Sequence, residues 1–275
     1  MVHLPYINVL LGKLEQEGNA ELKALARHLH FGFWSAPQEA ADTQEDLAVA
    51  GDRLSDLVCT AAAVGDDQTI LDVGCGLGGT IARINRHRCG VALHGLNIDS
   101  RQLLRAAATV AADTNAIGFV GGDACALPFA DRVFDAVIAI ECSFHFSSRA
   151  RFLAEVARVL KPGGRFATTD VVRGHRDGLA GAAVLALLPR VLDSAFYGRI
   201  DISYSVDDYR RAAVAAGLSP FVERDISAEV DPSYPVIRRI LREWRCRRAS
   251  AEAELGRRLS RHGIIRYVLL SFAKR

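Results

Sequence analysis

Short apolar runs alternate with amphipathic stretches between residues 69 and 172, and that alternation predicts strands and helices taking turns along the chain. Strands are expected at 69–73, 91–97, 117–120, 134–141 and 165–172. The run at 134–141 is apolar almost throughout, which predicts a strand covered on both faces and therefore central. Helices are expected at 100–112 and 149–160, the second stopped by Lys161-Pro162-Gly163-Gly164. Strands separated by helices at this spacing pair in parallel. With two later strands counted, the fold class is α/β, a doubly wound, mostly parallel seven-stranded sheet with helices on both faces.

The flanks depart from this rhythm. Apolar positions at helical spacing (Leu4, Ile7, Leu10, Leu11, Leu14, then Leu22 and Leu25), interrupted by Gly18-Asn19, predict two helices ahead of the first strand. Residues 29–35 form an aromatic cluster around Gly32, to be read either as docking of this appendage on the core or as a lid over a ligand. A helix at 42–64 then leads into the first strand, so residues 1–43 are taken as an N-terminal cap and 44–275 as the main domain. After the fifth strand, residues 178–196 read as an apolar helix within an insert spanning about 174–204. Ser205-Val206-Asp207-Asp208 resembles a capping box opening a helix to residue 216, and Gly217-Leu218 begins a sixth strand. One long basic helix (Arg238, Arg239, Arg242, Arg245, Arg247, Arg248) and a last strand at 264–272 complete the chain.

Composition narrows the classes. The 275 residues are 50% hydrophobic, enough for one large core. Lys and Arg (34) nearly balance Asp and Glu (32), so the net charge of +2 gives no ground for a nucleic-acid or membrane partner. The basic helix reads as a solvated face, its arginines interspersed with Glu243, Glu252 and Glu254. The apolar run at 179–188 is too short to span a bilayer and no secretory pattern opens the chain, so a soluble, cytoplasmic protein is expected. Six cysteines without a C-x-x-C pair read as reduced thiols, and no metal site is expected. Oligomeric state is left open, a homodimer being one option.

The chemistry is concentrated after the first strand. Asp72-Val73-Gly74-Cys75-Gly76-Leu77-Gly78-Gly79 places four glycines in six residues between a strand and a helix, where backbone N–H groups can approach a bound nucleotide-like cofactor. Gly74-Gly76-Gly78 fits one cofactor turn, while Gly74-Gly76-Gly79 also fits the dinucleotide G-x-G-x-x-G.

Further residues carry a resemblance. Asp72 ahead of the glycine turn, Gly122-Asp123-Ala124 before Leu127-Pro128-Phe129, Phe134-Asp135 opening the fourth strand and Leu160-Lys161-Pro162-Gly163-Gly164 together resemble the class I S-adenosylmethionine-dependent methyltransferases. The likeness covers roughly residues 29–172. It is nearest to the small-molecule branch, with ubiquinone, tocopherol and sterol methyltransferases and the sugar and macrolide O-methyltransferases of natural-product pathways, whose N-terminal aromatic motif His30-Phe31-Gly32-Phe33-Trp34 resembles. The resemblance implies S-adenosylmethionine as cofactor and a small-molecule acceptor, and no cluster of carboxylates suggests a divalent metal. It implies that Gly74, Cys75 and Gly76 approach the amino-acid end of the cofactor with Asp72 supplying charge there. Asp123 would accept from the adenine amino group beside the Ala124 N–H, and Phe33, Trp34 and Glu141 would join the cofactor site. Most of the class holds the ribose with an acid after the second strand; here Asn97 stands there, with Asp99 as competitor and Gln102 in support.

In Glu141-Cys142-Ser143-Phe144-His145-Phe146, at the carboxyl edge of the fourth strand, His145 is the candidate general base for a hydroxyl acceptor, with Asp170 able to orient it or equally to cap a turn. Phe144, Phe146, the N-terminal aromatics and Leu185, Leu188, Phe196 and Tyr197 would select a sizeable, largely apolar acceptor. Transfer to oxygen is the main expectation. A C- or N-methyltransferase using Glu141 and the aromatics is the nearer alternative, and a non-catalytic scaffold or an NAD-dependent dehydrogenase are the more distant ones.

Overall fold

A computed structural model describes residues 4–21, 25, 27–110, 114–174, 191–194 and 197–275. Helix α1 (Pro5–Glu21) is followed, after the aromatic segment, by α2 (Gln44–Ala61). Then come β1 (Thr69–Val73), α3 (Gly79–His87), β2 (Ala92–Asn97), α4 (Ser100–Thr109), β3 (Ala116–Gly121), β4 (Phe134–Ile140), α5 (Arg149–Val159) and β5 (Leu160–Arg173). A hairpin, β6 (Val191–Ser194) and β7 (Gly198–Asp201), precedes α6 (Val206–Ala215) and β8 (Leu218–Asp225). Helices α7 (Ser227–Val230), α8 (Ser233–Glu243) and α9 (Arg247–Arg261) lead to β9 (Ile265–Lys274).

The main sheet has seven strands in the order β3-β2-β1-β4-β5-β9-β8. Strands β1 to β5 are mutually parallel, while β9 runs antiparallel to both β5 and β8. Alternation along the strands divides the core between two faces. On β4, Val137 and Ala139 join Phe152, Val156 and Tyr209 of α5 and α6. Ala136, Ile138 and Ile140 face the other way, with Leu54 and Val58 of α2 and Ile81 and Ile84 of α3. Strand order reverses between β1 and β4, and the carboxyl ends there form the crevice in which such sheets bind ligands.

Several local expectations are revised. Helix α1 continues through Gly18 and Asn19 instead of breaking there, and the predicted second helix falls largely on residues outside those described. The apolar stretch 178–196 is mostly outside them too, but its end, Val191–Ser194, is a strand paired antiparallel with Gly198–Asp201. The long basic helix is two helices, α8 and α9, separated by a turn in which Arg245 takes φ +60°. The aromatic segment is knitted into the core. Gly32 N–H donates to Ser233 Oγ (2.9 Å), Phe33 N–H to the Ala50 carbonyl (2.9 Å) and Trp34 N–H to the Glu229 carbonyl (3.0 Å).

Candidate active site

The β1–α3 turn forms the floor of a cleft at the switch point. Leaving β1, the Gly74 and Cys75 N–H groups both donate to the Leu96 carbonyl (2.7 and 3.1 Å), which ties the turn to the end of β2. Gly74 has φ +73°, and a Cβ there would lie 2.7 Å from the Cβ of Cys142. Gly79 has another reason to be glycine: a Cβ would lie 2.0 Å from the Arg27 carbonyl oxygen. That fourth glycine admits the N-terminal segment, so the G-x-x-G spacing that suggested a dinucleotide is explained by packing.

The cleft brings together most of the residues singled out from sequence: Asp72, Gly74, Cys75, Gly76, Asn97, Gln102, Asp123, Ala124, Glu141 and His145 all line it. Asp72 is 4% exposed and has no hydrogen-bond partner among the described residues, so burial alone pushes its carboxyl up to about 7. An unpaired buried acid facing a cleft fits a cationic ligand group. Asn97 Oδ1 accepts from the Asp99 N–H (3.2 Å). Asp99 itself caps α4, accepting from the Arg101 N–H (2.9 Å), and pairs with the Arg101 guanidinium (2.6 Å). Of the two ribose candidates, Asn97 lines the cleft and Asp99 is taken up by the cap and the ion pair.

Three expectations fail on placement. Trp34 is buried among Leu47, Ala50, Val236 and Ile240, donating from its indole N–H to Asp46 (2.8 Å). Phe33 packs on the α2 side of the core beneath the Arg224 guanidinium. Neither lines the cleft, because backbone bonds to Ala50 and Glu229 carry both rings away from it. Asp170 does not face His145. It is fully buried and accepts from Arg149 Nε (2.7 Å) and the Tyr209 hydroxyl (2.5 Å).

His145 ends a short 3-10 turn, Ser143–His145, after β4. Its Nδ1 is 3.0 Å from the Arg199 carbonyl oxygen. A carbonyl can only accept, so Nδ1 carries the hydrogen and Nε2 keeps its lone pair. Burial, set against that hydrogen bond, pulls the imidazolium down to about 4, leaving a neutral ring at physiological pH. Glu141, at φ +49° just past β4, accepts from the Phe31 N–H (2.5 Å) and the Tyr267 hydroxyl, yet burial still raises its carboxyl to about 8. It stands between the cleft and a second, apolar chamber lined by Phe31, Phe144, Tyr197, Tyr234 and Tyr267.

Other cleft residues were not singled out from sequence. Tyr6 of α1 stacks on His145 (6.5 Å, 19°), and Arg27, His28 and Thr80 also line the cleft. Thr80 Oγ1 is bonded to Ser55 Oγ (3.1 Å), which in turn meets His30 Nε2 (3.3 Å). Thr80 was findable, since it opens the helix after the glycine turn; Tyr6 and His28 arrive by tertiary docking and leave no local signal. Among the described residues no group of three or more His, Cys, Asp or Glu is arranged to hold a metal ion, and no helix is long and apolar enough to cross a membrane.

Comparison with known proteins bears on the family and the fold. Residues 71–168 match the family model described as a methyltransferase domain. The chain is 31% identical over 231 residues to methyltransferase GfsG of Streptomyces halstedii, covering 82% of this chain and 79% of that protein. It is 32% identical over 209 residues to the 27-O-demethylrifamycin SV methyltransferase of Amycolatopsis mediterranei, covering 75% and 72%. It spans about half the length of the fungal O-methyltransferases that it also matches. In three dimensions it resembles the geranyl diphosphate C-methyltransferase of Streptomyces coelicolor A3(2), solved with Mg2+, geranyl diphosphate and S-adenosyl-L-homocysteine, at a TM-score of 0.73 over 100% of both chains with 18% identity.

Proposed function

The chain belongs to the class I S-adenosylmethionine-dependent methyltransferases that act on small molecules, and from that premise we propose that it methylates a hydroxyl of a sizeable, largely apolar natural product of glycoside, polyketide or macrolide type, with His145 as general base. The observation that carries this reading is the imidazole itself: neutral, held by the Arg199 carbonyl so that Nε2 is the free acceptor, and set in the wall of the cofactor cleft.

S-adenosylmethionine supplies an electrophilic methyl group on a sulfonium. The chain's part is to hold the partners in line and to take one proton. Asp72 is the acid for the cofactor's ammonium, the Gly74–Gly76 turn lets backbone approach its amino-acid end, Asn97 and Gln102 serve the ribose, and Asp123 with the Ala124 N–H serves the adenine. Nε2 of His145 would accept the hydroxyl proton as the acceptor oxygen takes the methyl group from the sulfonium, whose S–C bond breaks to leave a neutral thioether, and the imidazolium would later return the proton to solvent. The chamber lined by Phe31, Phe144, Tyr197, Tyr234 and Tyr267 offers apolar surface for the body of the acceptor. The names of the relatives from Amycolatopsis and the fungi support oxygen as the atom methylated.

One observation favours a second reading. Glu141 borders both cavities among aromatic rings, an arrangement suited to a carbon acceptor that develops positive charge. Transfer of isotope-labelled methyl to a mixed panel of hydroxylated polyketides, glycosides, phenols, amines and prenyl compounds tests the proposal. Label on oxygen is expected; label on carbon transfers the catalytic assignment to Glu141, and label on nitrogen removes the need for a base.

A further inference from the structure

We propose that Arg149 is a positioning residue for His145, acting through strand β7 of the hairpin; the inference rests on the reading of His145 as base. The Arg199 carbonyl that fixes the imidazole belongs to β7, a strand whose one β-partner among the described residues is β6. Something else must therefore hold that carbonyl in place. Two residues along, Asp201 is gripped twice by Arg149: Nη2 donates to its carbonyl oxygen (2.7 Å) and Nη1 to its carboxylate (3.0 Å). Carbonyls two residues apart on a strand point to the same edge. The segment from His145 to Arg149, four residues later at the start of α5, thus grips one edge of β7 at two successive points.

The far end of the clamp is rigid. Arg149 is 1% exposed, its Nε donates to the fully buried Asp170 of β5, and the Tyr209 hydroxyl of α6 donates to the same carboxylate oxygen. Tyr204 and Tyr209 flank the guanidinium at 5.0 and 5.9 Å. Asp170 alone would neutralise this buried charge. The additional side-chain and main-chain contacts to Asp201 are what couple the core to the hairpin. Freed of that coupling, β7 would release Nδ1, and the ring could turn or exchange tautomers, moving the lone pair from Nε2 to Nδ1.

The test follows the tautomer directly. Full-length protein with 15N-labelled histidine, bound to S-adenosylhomocysteine, is compared by NMR as wild type, Asp201→Ala, Arg149→Lys and Tyr209→Phe, alongside kcat and KM. Wild type is expected to hold His145 in the Nδ1–H form. Asp201→Ala should populate the Nε2–H form and lower kcat by about ten- to a hundredfold, as a misplaced catalytic group does, with cofactor affinity little changed. Arg149→Lys, which keeps the charge and one donor, should fall between. Tyr209→Phe removes a hydroxyl that Arg149 Nε also donates to (3.1 Å) but leaves both contacts to Asp201 in place, so it should shift the tautomer less than Asp201→Ala does. A pure Nδ1–H signal and unchanged kcat in Asp201→Ala overturn the proposal, as does an equal tautomer shift in Asp201→Ala and Tyr209→Phe, which would mean general loosening. If His145→Gln proves fully active while Asp201→Ala still shifts the tautomer, the base assignment fails and the clamp stands.

Discussion

The proposed place of Asp72 beside the cofactor's ammonium links binding to pH. Buried without a partner, its carboxyl ionises near 7 in the cofactor-free protein, well above its ordinary value. A group raised on folding contributes stability fully below its unfolded pKa and loses that contribution as pH rises through its folded pKa, here over about pH 4 to 7. A cofactor ammonium that needs the carboxylate acts in the opposite sense, binding with proton release and more weakly as pH falls below 7. The rise in melting temperature on adding S-adenosylhomocysteine is therefore expected to be larger at pH 8 than at pH 6, and Asp72→Asn should remove the difference; equal rises at both pH values in wild type would contradict this role. At Gly74, Ala would combine positive φ with a 2.7 Å approach to Cys142. Gly74→Ala should cost about 1–3 kcal/mol of stability, read from the denaturant midpoint, and abolish calorimetric binding of the cofactor product. The positions of Asp72 in the first strand and of Gly74 in the turn were legible because a strand ending and a turn are local events. Asp170 was not: its position on β5 could be placed from sequence, but Arg149 and Tyr209, which claim its carboxylate, are 21 and 39 residues away.

Elements announced by local chemistry were read well. Ser205 and Asp208 form a reciprocal capping box at the start of α6, each side chain accepting from the other's backbone N–H. Ser205→Ala should lower stability by about 1 kcal/mol with methyl transfer kept, a change to be measured by urea unfolding. Helix breaks were read less well. Gly18-Asn19 looked like a stop, yet a glycine inside a helix costs only about 1 kcal/mol, which α1 absorbs. The arginines after residue 237 looked continuous because charge does not mark an end. What ends α8 is Arg245 in the left-handed region, with Trp244 packed among Leu241, Ala249 and Ala253. The end of the insert misled for a different reason: a run apolar on all sides has no period, so the pairing of β6 with β7 was invisible.

Across the whole sheet, alternation implied the doubly wound seven-stranded class and a ligand at its carboxyl edge, while the strand order and the switch point between β1 and β4 come from the structure. The glycine turn alone fits two cofactors; the motifs that follow it pointed to S-adenosylmethionine, and the packing of Gly79 against Arg27 gives the fourth glycine a structural reason. A ligand that binds only the folded state stabilises it by about 2.7 kcal/mol at a hundred times its dissociation constant. S-adenosylhomocysteine should thus raise the unfolding temperature while NAD leaves it unmoved; the reverse would contradict the cofactor assignment. The proposed transfer to a hydroxyl turns on chemistry at one imidazole. The most direct measurement is kcat for His145→Gln against wild type, at saturating cofactor, on an acceptor whose product carries the methyl group on oxygen. If His145 is the base, kcat falls by about 10²- to 10⁴-fold with cofactor binding intact, whereas an unchanged kcat would contradict that role.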